Sequence, residues 1–338
     1  MKITKILVAL LFSLSVSTAY AGELTVTGNM EATYQSETTG ETGNPLGMDR
    51  ELKFSGSTEL DNGITVSVFQ DTSDSLGYGN SQIAFGNVAG FATIYVGSDS
   101  DPVDAVDDIT PSAYEEANGS GSGSYNDVGG QAGQMGVGAK FDLPILGAVN
   151  YKYYPKIDGQ KNTDNVASGQ TSGGESVGSA SSISIKTNMA DLPFVGGFLD
   201  GATLTTAYGE SDHSTVANLD DAFDLVAAIN YVNGPISLGY QRKYHNEGMA
   251  ATPGEYAGYK DTVIGIAYAV NDEFSVSYNR YTSYPQTRVG APEQETDAIN
   301  IGYTMGGMTI GFQDASTDNS GYATGDNDTR TVGVAVAF

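Results

Sequence analysis

The last ten residues, Thr329-Arg330-Thr331-Val332-Gly333-Val334-Ala335-Val336-Ala337-Phe338, decide the fold. Val332, Val334, Val336 and Phe338 fall on one face, and small or polar residues fall on the other. A period of two is the strand signature. Large apolar residues on one side with Thr, Gly and Ala on the other suit a strand with lipid outside and a polar lumen inside.

The same rhythm runs back to Glu23. Sixteen strands are expected, at roughly 23–34, 50–60, 63–72, 80–86, 91–98, 134–142, 147–157, 182–190, 200–210, 222–232, 235–246, 260–270, 273–284, 295–305, 307–316 and 328–338. Short links alternate with long ones. The short set includes Asp61-Asn62-Gly63, Asn87-Val88-Ala89-Gly90, Leu143 to Leu146, Asn233-Gly234, Asn271-Asp272 and Gly306. Asn-Gly and Asp-Asn-Gly are strong hairpin signals because their turns need positive φ. Asp191 to Leu199 is the longest of this set. The long links, rich in Gly, Ser, Asn and Asp, cover about 35–49, 73–79, 99–133, 158–181, 211–221, 247–259, 285–294 and 317–327. Short turns on one rim and long loops on the other describe an all-β, antiparallel transmembrane barrel.

Each strand supplies one apolar face, such as Leu52, Phe54 and Leu60, or Ile299, Ile301 and Tyr303. The opposite faces hold Lys53, Ser55, Ser57, Asn150, Ser184, Asn230, Asn300 and Gln313. One such strand also fits a water-soluble sandwich. Sixteen in a closed ring leave no unpaired edge, which lipid demands. Aromatics gather near strand ends. Tyr34, Tyr240, Tyr244, Tyr278, Tyr281 and Tyr284 lie toward the loop rim, and Phe141, Phe198, Tyr268, Phe274 and Phe338 toward the turn rim. Two interfacial girdles account for them. Cross-strand packing in a soluble sheet is the alternative.

Composition narrows the function classes. Lys2 and Lys5, an apolar run from Ile6 to Val16 and the small-x-small site Ala19-Tyr20-Ala21 read as a signal peptide over 1–21, leaving a barrel over 22–338. The chain has no cysteine, so disulfides and thiolate chemistry are excluded. Its two histidines, His213 and His245, give a metal site or triad little to build from. The net charge of −26 becomes −28 once Lys2 and Lys5 are lost, and such a surface repels nucleic acid. Mean hydropathy of −0.22 fits a barrel because only alternate strand residues face lipid.

The longest link, 99–133, stands apart. It carries Asp99, Asp101, Asp104, Asp107, Asp108, Glu115 and Glu116. Val103, Val106, Ile109 and Tyr114 give it an apolar side. Folding inward against the barrel wall buries that side and places the carboxylates in the pore. A solvated surface loop is the plainer alternative for such a charge run. Asp101, Asp104, Asp107 and Asp108 also offer oxygen ligands for calcium, although their spacing does not match an EF-hand.

At this point the chain resembles the general diffusion porins of Gram-negative outer membranes, particularly the alphaproteobacterial, Rhodobacter-like kind. The residues that carry the resemblance are the leader, the start Gly22-Glu23-Leu24-Thr25-Val26-Thr27-Gly28, the stretch Gly90-Phe91-Ala92-Thr93-Ile94-Tyr95-Val96-Gly97 before the acidic loop, and the terminal Phe338. The resemblance implies a sixteen-stranded barrel, a homotrimer and an inward-folded third loop that sets the constriction. It implies that Phe338 belongs to the signal read by the outer-membrane insertion machinery, with lipid and lipopolysaccharide around the barrel. It also implies a basic wall facing the acidic loop. Lys53, Lys140, Lys152, Lys186 and Lys243 fall on the lumen side by strand parity, whereas Arg50, Arg242, Arg280 and Arg330 fall on the lipid side. With only 15 Lys and Arg in the chain, the excess of carboxylates predicts a cation preference.

Three other readings compete. A barrel hydrolase needs a serine and a base placed together, but Ser211-Asp212-His213 adjacency builds no triad and His245 has no obvious partner. A secreted solenoid needs a repeat of fixed period, and the spacing here alternates. A sugar-specific channel needs an aromatic track, for which Tyr95, Tyr154 and Tyr281 are the lumen candidates.

Overall fold

The computed structural model describes residues 24–38, 43–72, 77–99, 101–123, 125, 128–155, 178–193, 195–212, 221–246, 248, 258–286 and 290–338. The expected leader, most of the link 158–181 and His213 lie outside the described residues.

Sixteen strands form one closed antiparallel barrel. In chain order they are β1 (Thr25–Glu37), β2 (Leu46–Glu59), β3 (Thr65–Thr72), β4 (Tyr78–Val88), β5 (Ala92–Gly97), β6 (Gly136–Leu143), β7 (Gly147–Tyr154) and β8 (Ala180–Asn188). The second half comprises β9 (Ala202–Ser211), β10 (Ala222–Asn233), β11 (Ile236–Asn246), β12 (Gly258–Ala269), β13 (Phe274–Pro285), β14 (Gln294–Met305), β15 (Met308–Asp318) and β16 (Asn327–Ala337). Each strand pairs with the next, and β1 closes the ring on β16 from Asn29–Ala337 to Glu37–Thr329. Each expected strand is present, most within two or three residues of its expected ends.

The short turns do the work their residues suit. Gly63, Gly234 and Gly306 have φ of +78°, +58° and +61°, where a side chain is strained. Asn271 Oδ1 accepts the Glu273 and Phe274 N–H groups at 2.9 and 2.8 Å, which closes its turn without glycine. The link after β8 is built from two short 3₁₀ turns, Met189–Asp191 and Gly196–Leu199.

Alternation separates the two faces. Val332, Val334, Val336, Ile299, Ile229 and Val68 are exposed on the outside. Asn279, Thr296, Asn300, Gln313 and Thr317 are buried on the inside. Tyr34, Tyr240, Tyr278 and Tyr284 are exposed near the loop rim, and Tyr268 and Phe338 near the turn rim, as two girdles require. Tyr281 departs from the expected girdle. It points inward and is fully buried, because its parity partners Asn279 and Ser283 are inner-face residues.

Arg50, Arg242, Arg280 and Arg330 stand on the outer face. Arg280 forms a two-pronged bond to Asp297 at 2.6 and 2.7 Å, and Tyr278 OH adds a third at 2.5 Å. Arg330 pairs with Asp314 at 3.0 Å. Pairing within the outer face is how these charges are tolerated beside an apolar band.

Candidate functional site: the lumen and its third loop

The segment between β5 and β6 folds into the barrel and runs along the inner wall from β7 round to β1. It is tied at its start. Lys152 Nζ on β7 donates to the Asp99 carbonyl at 2.6 Å, and Gln82 Nε2 on β4 reaches the Asp99 carboxylate at 3.3 Å. Asp101 accepts the Val103 N–H at 2.7 Å and the Tyr154 hydroxyl. Val103 then packs with Val128, Ala207 and Val226, with Val106 against the cluster. That burial is what the loop's apolar residues predicted.

Further along, inner-wall amides donate to loop carbonyls. Gln241 reaches Val106 O at 2.8 Å, Asn230 reaches Ile109 O at 2.8 Å and Asn279 reaches Pro111 O at 3.0 Å. Gln313 reaches Glu115 O and Glu116 O at 3.1 and 3.2 Å, and Gln35 reaches Ser120 O at 2.7 Å. Loop backbone buried away from water must find such partners. The Tyr114 hydroxyl donates to Glu31 on β1 at 2.6 Å. Tyr125 bonds Thr296 at 2.9 Å and stands edge-on to Tyr281. A second apolar patch, Ala117, Val263, Tyr281, Ala298 and Ala315, seals this half of the loop to the wall.

The expected acidic residues divide into two groups. Asp108 keeps 43% of its side chain exposed, Glu115 is exposed, and Asp99 and Asp104 are half-exposed. Asp101 and Asp107 are buried and do not line the water, which corrects their expected place at the constriction. Asp101 holds the loop's first turn, a tertiary role that composition does not reveal. Glu116 is partly buried, and its carboxyl is pushed up to about 7 by that burial, with Thr110 opposing, Asp108 adding and Lys243 opposing. Although Glu115 is open to the lumen, the surrounding wall strips part of the water from its carboxyl and raises it, and the neighbouring Glu31 and Asp108 carboxylates raise it further.

The basic wall is thinner than expected. Lys152 and Lys243 are fully buried, the first on Asp99 and the second on Asp108 at 3.2 Å. They anchor the loop. Lys53, Lys140 and Lys186 remain in reach of solvent. Lys53 Nζ lies 3.8 Å over the Phe69 ring, and Lys140 Nζ lies 5.1 Å over Tyr95.

Three lumen acids were missed. Glu31 faces inward, since it bonds Tyr114 of the loop. Asp49 is its direct cross-strand partner and shares its face, as does Glu51 two residues on. Parity applied to β1 and β2 carries this signal, because Glu51 alternates with the inward Lys53.

Other candidates resolve as follows. His245 has a partner after all, with Nδ1 2.5 Å from Asp224 Oδ1. Tyr95, Tyr154 and Tyr281 are on the inner face but buried, so they offer no open aromatic track. Among the described residues, no three acidic or histidine side chains converge as metal ligands would. Phe338 lies on the outer face with its ring against Gly28, and its backbone closes the ladder through Gly28 bonds of 2.9 and 3.0 Å.

No family model and no curated protein matches the chain. The likeness is to solved structures. An engineered variant of the Rh. blastica porin has a TM-score of 0.59 at 17% identity, over 94% of this chain and 100% of the other. A porin refined at 1.8 Å has a TM-score of 0.63 at 12% identity, with the same coverage. A structure described under asymmetric conductivity of engineered proteins has a TM-score of 0.59 at 18% identity, again over 94% and 100%. At these identities the likeness speaks for architecture, and the closed ring of sixteen strands with its long third loop gives this chain the porin fold.

Proposed function

We propose that the chain forms a water-filled pore for passive diffusion of small hydrophilic solutes and ions, with a preference for cations. The observation that carries this reading is the third loop seated inside the barrel with Asp99, Asp104, Asp108 and Glu115 open to water, beside Glu31, Asp49 and Glu51. Two of the five expected wall lysines are spent on anchoring, which tilts the lining further toward negative charge. Carboxylates at a narrowing attract cations and repel anions. No covalent chemistry is part of this reading, and it assigns no resident cofactor; calcium at Asp101, Asp104, Asp107 and Asp108 gains no support from their dispersed placement.

The same reading places the protein in the outer membrane of a Gram-negative bacterium, exported by the leader at 1–21 and inserted with the help of Phe338. A homotrimer follows from the family resemblance. A sugar-specific channel is disfavoured by the burial of Tyr95, Tyr154 and Tyr281. The test is reversal potential and single-channel conductance of the detergent-refolded chain across a planar bilayer under a salt gradient. Stepwise conductance with a cation-selective potential is expected. Anion selectivity sinks the charge assignment, and a folded barrel without conductance sinks the pore.

A further inference from the structure

Strand interiors disfavour glycine, which has no side chain to pack and loses more conformational freedom on folding than alanine. The inner wall nevertheless carries glycines in cross-strand register. Gly239 on β11 stands opposite Gly265 on β12. Gly302, Gly311 and Gly333 stand side by side on β14, β15 and β16. Each meets the third loop. A Cβ on Gly239 or Gly265 would overlap Pro111, the second at 2.7 Å from its carbonyl oxygen. A Cβ on Gly302 would overlap the Ala113 carbonyl, and one on Gly311 or Gly333 would overlap the Tyr114 ring or hydroxyl. Between the two runs, Ser277 on β13 accepts the Ala113 N–H at 2.9 Å.

We propose that these five glycines are positioning residues that set the cross-section of the pore, by giving the segment Thr110–Tyr114 a bed in which its backbone lies flush with the wall. The proposal rests on the channel reading above and adds to it the residues that fix the loop's depth. Asn279 holds the segment down at Pro111, Gln313 holds the residues that follow it at Glu115 and Glu116, and the missing side chains let the segment come down far enough. Asp108 and Glu115 flank the bedded segment, so its depth also sets how far their charges stand into the water. A methyl group at the ordinary packing distance of ~3.5–4.0 Å lifts the segment by about 1 Å.

The experiment compares wild type, the double variant Gly302→Ala/Gly311→Ala, the milder single variant Gly265→Ala and the control Gly86→Ala. Gly86 is an inner-face glycine on β4 whose nearest neighbours stand at 3.7–3.8 Å, and the loop is not among them. Single-channel conductance is expected to change by roughly 1.3-fold or more in the bed variants, the scale a shift of about 1 Å gives. Reversal potential should shift with it. Gly86→Ala should match wild type, and all barrels should keep the same melting temperature. A second readout does not depend on conduction. The chain lacks cysteine, so Ala298→Cys places one thiol beneath the loop. Its labelling by a water-soluble thiol reagent should be slow on the native bed and faster in each bed variant. Unchanged conductance together with unchanged labelling overturns the proposal. Changes that appear only alongside a lowered barrel melting temperature reduce the glycines to a structural role and overturn it too. A wild-type barrel that does not conduct sinks the channel reading, while the labelling still decides whether the bed holds the loop.

Discussion

Neutralising Asp108 should alter ion selectivity, whereas neutralising Asp101 should not, although both belong to one acidic run. Asp108 is 43% exposed and Asp101 is fully buried. A unit charge about 5 Å from a passing ion in water is worth ~0.8 kcal/mol. Screening at 0.1 M salt, where the Debye length is ~10 Å, leaves roughly 0.5 kcal/mol. That is about a twofold gain for a cation and an equal loss for an anion, so Asp108→Asn should lower the cation-to-anion permeability ratio by about 5-fold. At 1 M salt, with a Debye length of ~3 Å, the effect should shrink to about 1.7-fold. Asp101→Asn acts elsewhere. It removes the charge that accepts the Tyr154 hydroxyl, a bond worth about 1.5–3 kcal/mol, and loosens the loop's first turn. Reversal potentials in planar bilayers at both salt concentrations provide the assay, with Glu115→Gln as a second exposed site. Equal shifts from Asp101→Asn and Asp108→Asn would refute the division of the loop into buried and lining carboxylates.

Three further outcomes are expected. Glu116 has a carboxyl raised from 4.5 to about 7 in the folded chain, so the seated loop binds a proton there that the unseated loop releases. Loop seating is therefore strongest below pH 4.5 and weakens as pH rises to about 7; Glu116→Gln should flatten that profile, read as thiol labelling of Ala298→Cys divided at each pH by that of the unfolded chain, because only the thiolate reacts, and a retained slope in that ratio refutes it. Removing the Arg280–Asp297 pair by Arg280→Ala should cost under about 1 kcal/mol, since the pair is partly exposed, and thermal unfolding in detergent checks this. Phe338→Ala should lower the yield of barrel assembled in cells while the detergent-refolded barrel still forms; equal yields in cells count against an assembly role.

The barrel was legible because each strand lies between lipid and water, which forces strict alternation on Val332, Val334 and Val336 and on every strand before them. Turn chemistry was legible for the same local reason, as Asn233-Gly234 and Asp61-Asn62-Gly63 show. The site was legible only in outline. Acidic residues at 99–116 marked the loop, and its apolar side foretold that it folds inward. Which carboxylates end in water depends on contacts across the lumen, such as Tyr154 with Asp101, and no local pattern encodes those. Parity places Lys152 and Lys243 on the inner face, but it cannot distinguish an anchoring lysine from one that lines the pore. The bed glycines were visible at inner parity positions. Their meaning appears only when Pro111, Ala113 and Tyr114 are seen above them.

The closure of β1 on β16 bears on how the molecule is made. Every other strand pair joins neighbours in the chain, so hairpins can add one after another with little loop entropy to overcome. The last pair joins Gly28 to Phe338, and closing a loop of ~300 residues costs about 5 kcal/mol. The ring can therefore shut only after β16 has been made, because Phe338 is itself part of the seam. The third loop spans that seam, since the Ser120 carbonyl is held both by Gln35 on β1 and by Thr329 on β16, two strands that meet only at that moment. Its docking is thus a late event, and a barrel truncated at its C-terminus lacks both its seal and part of the floor on which the loop rests.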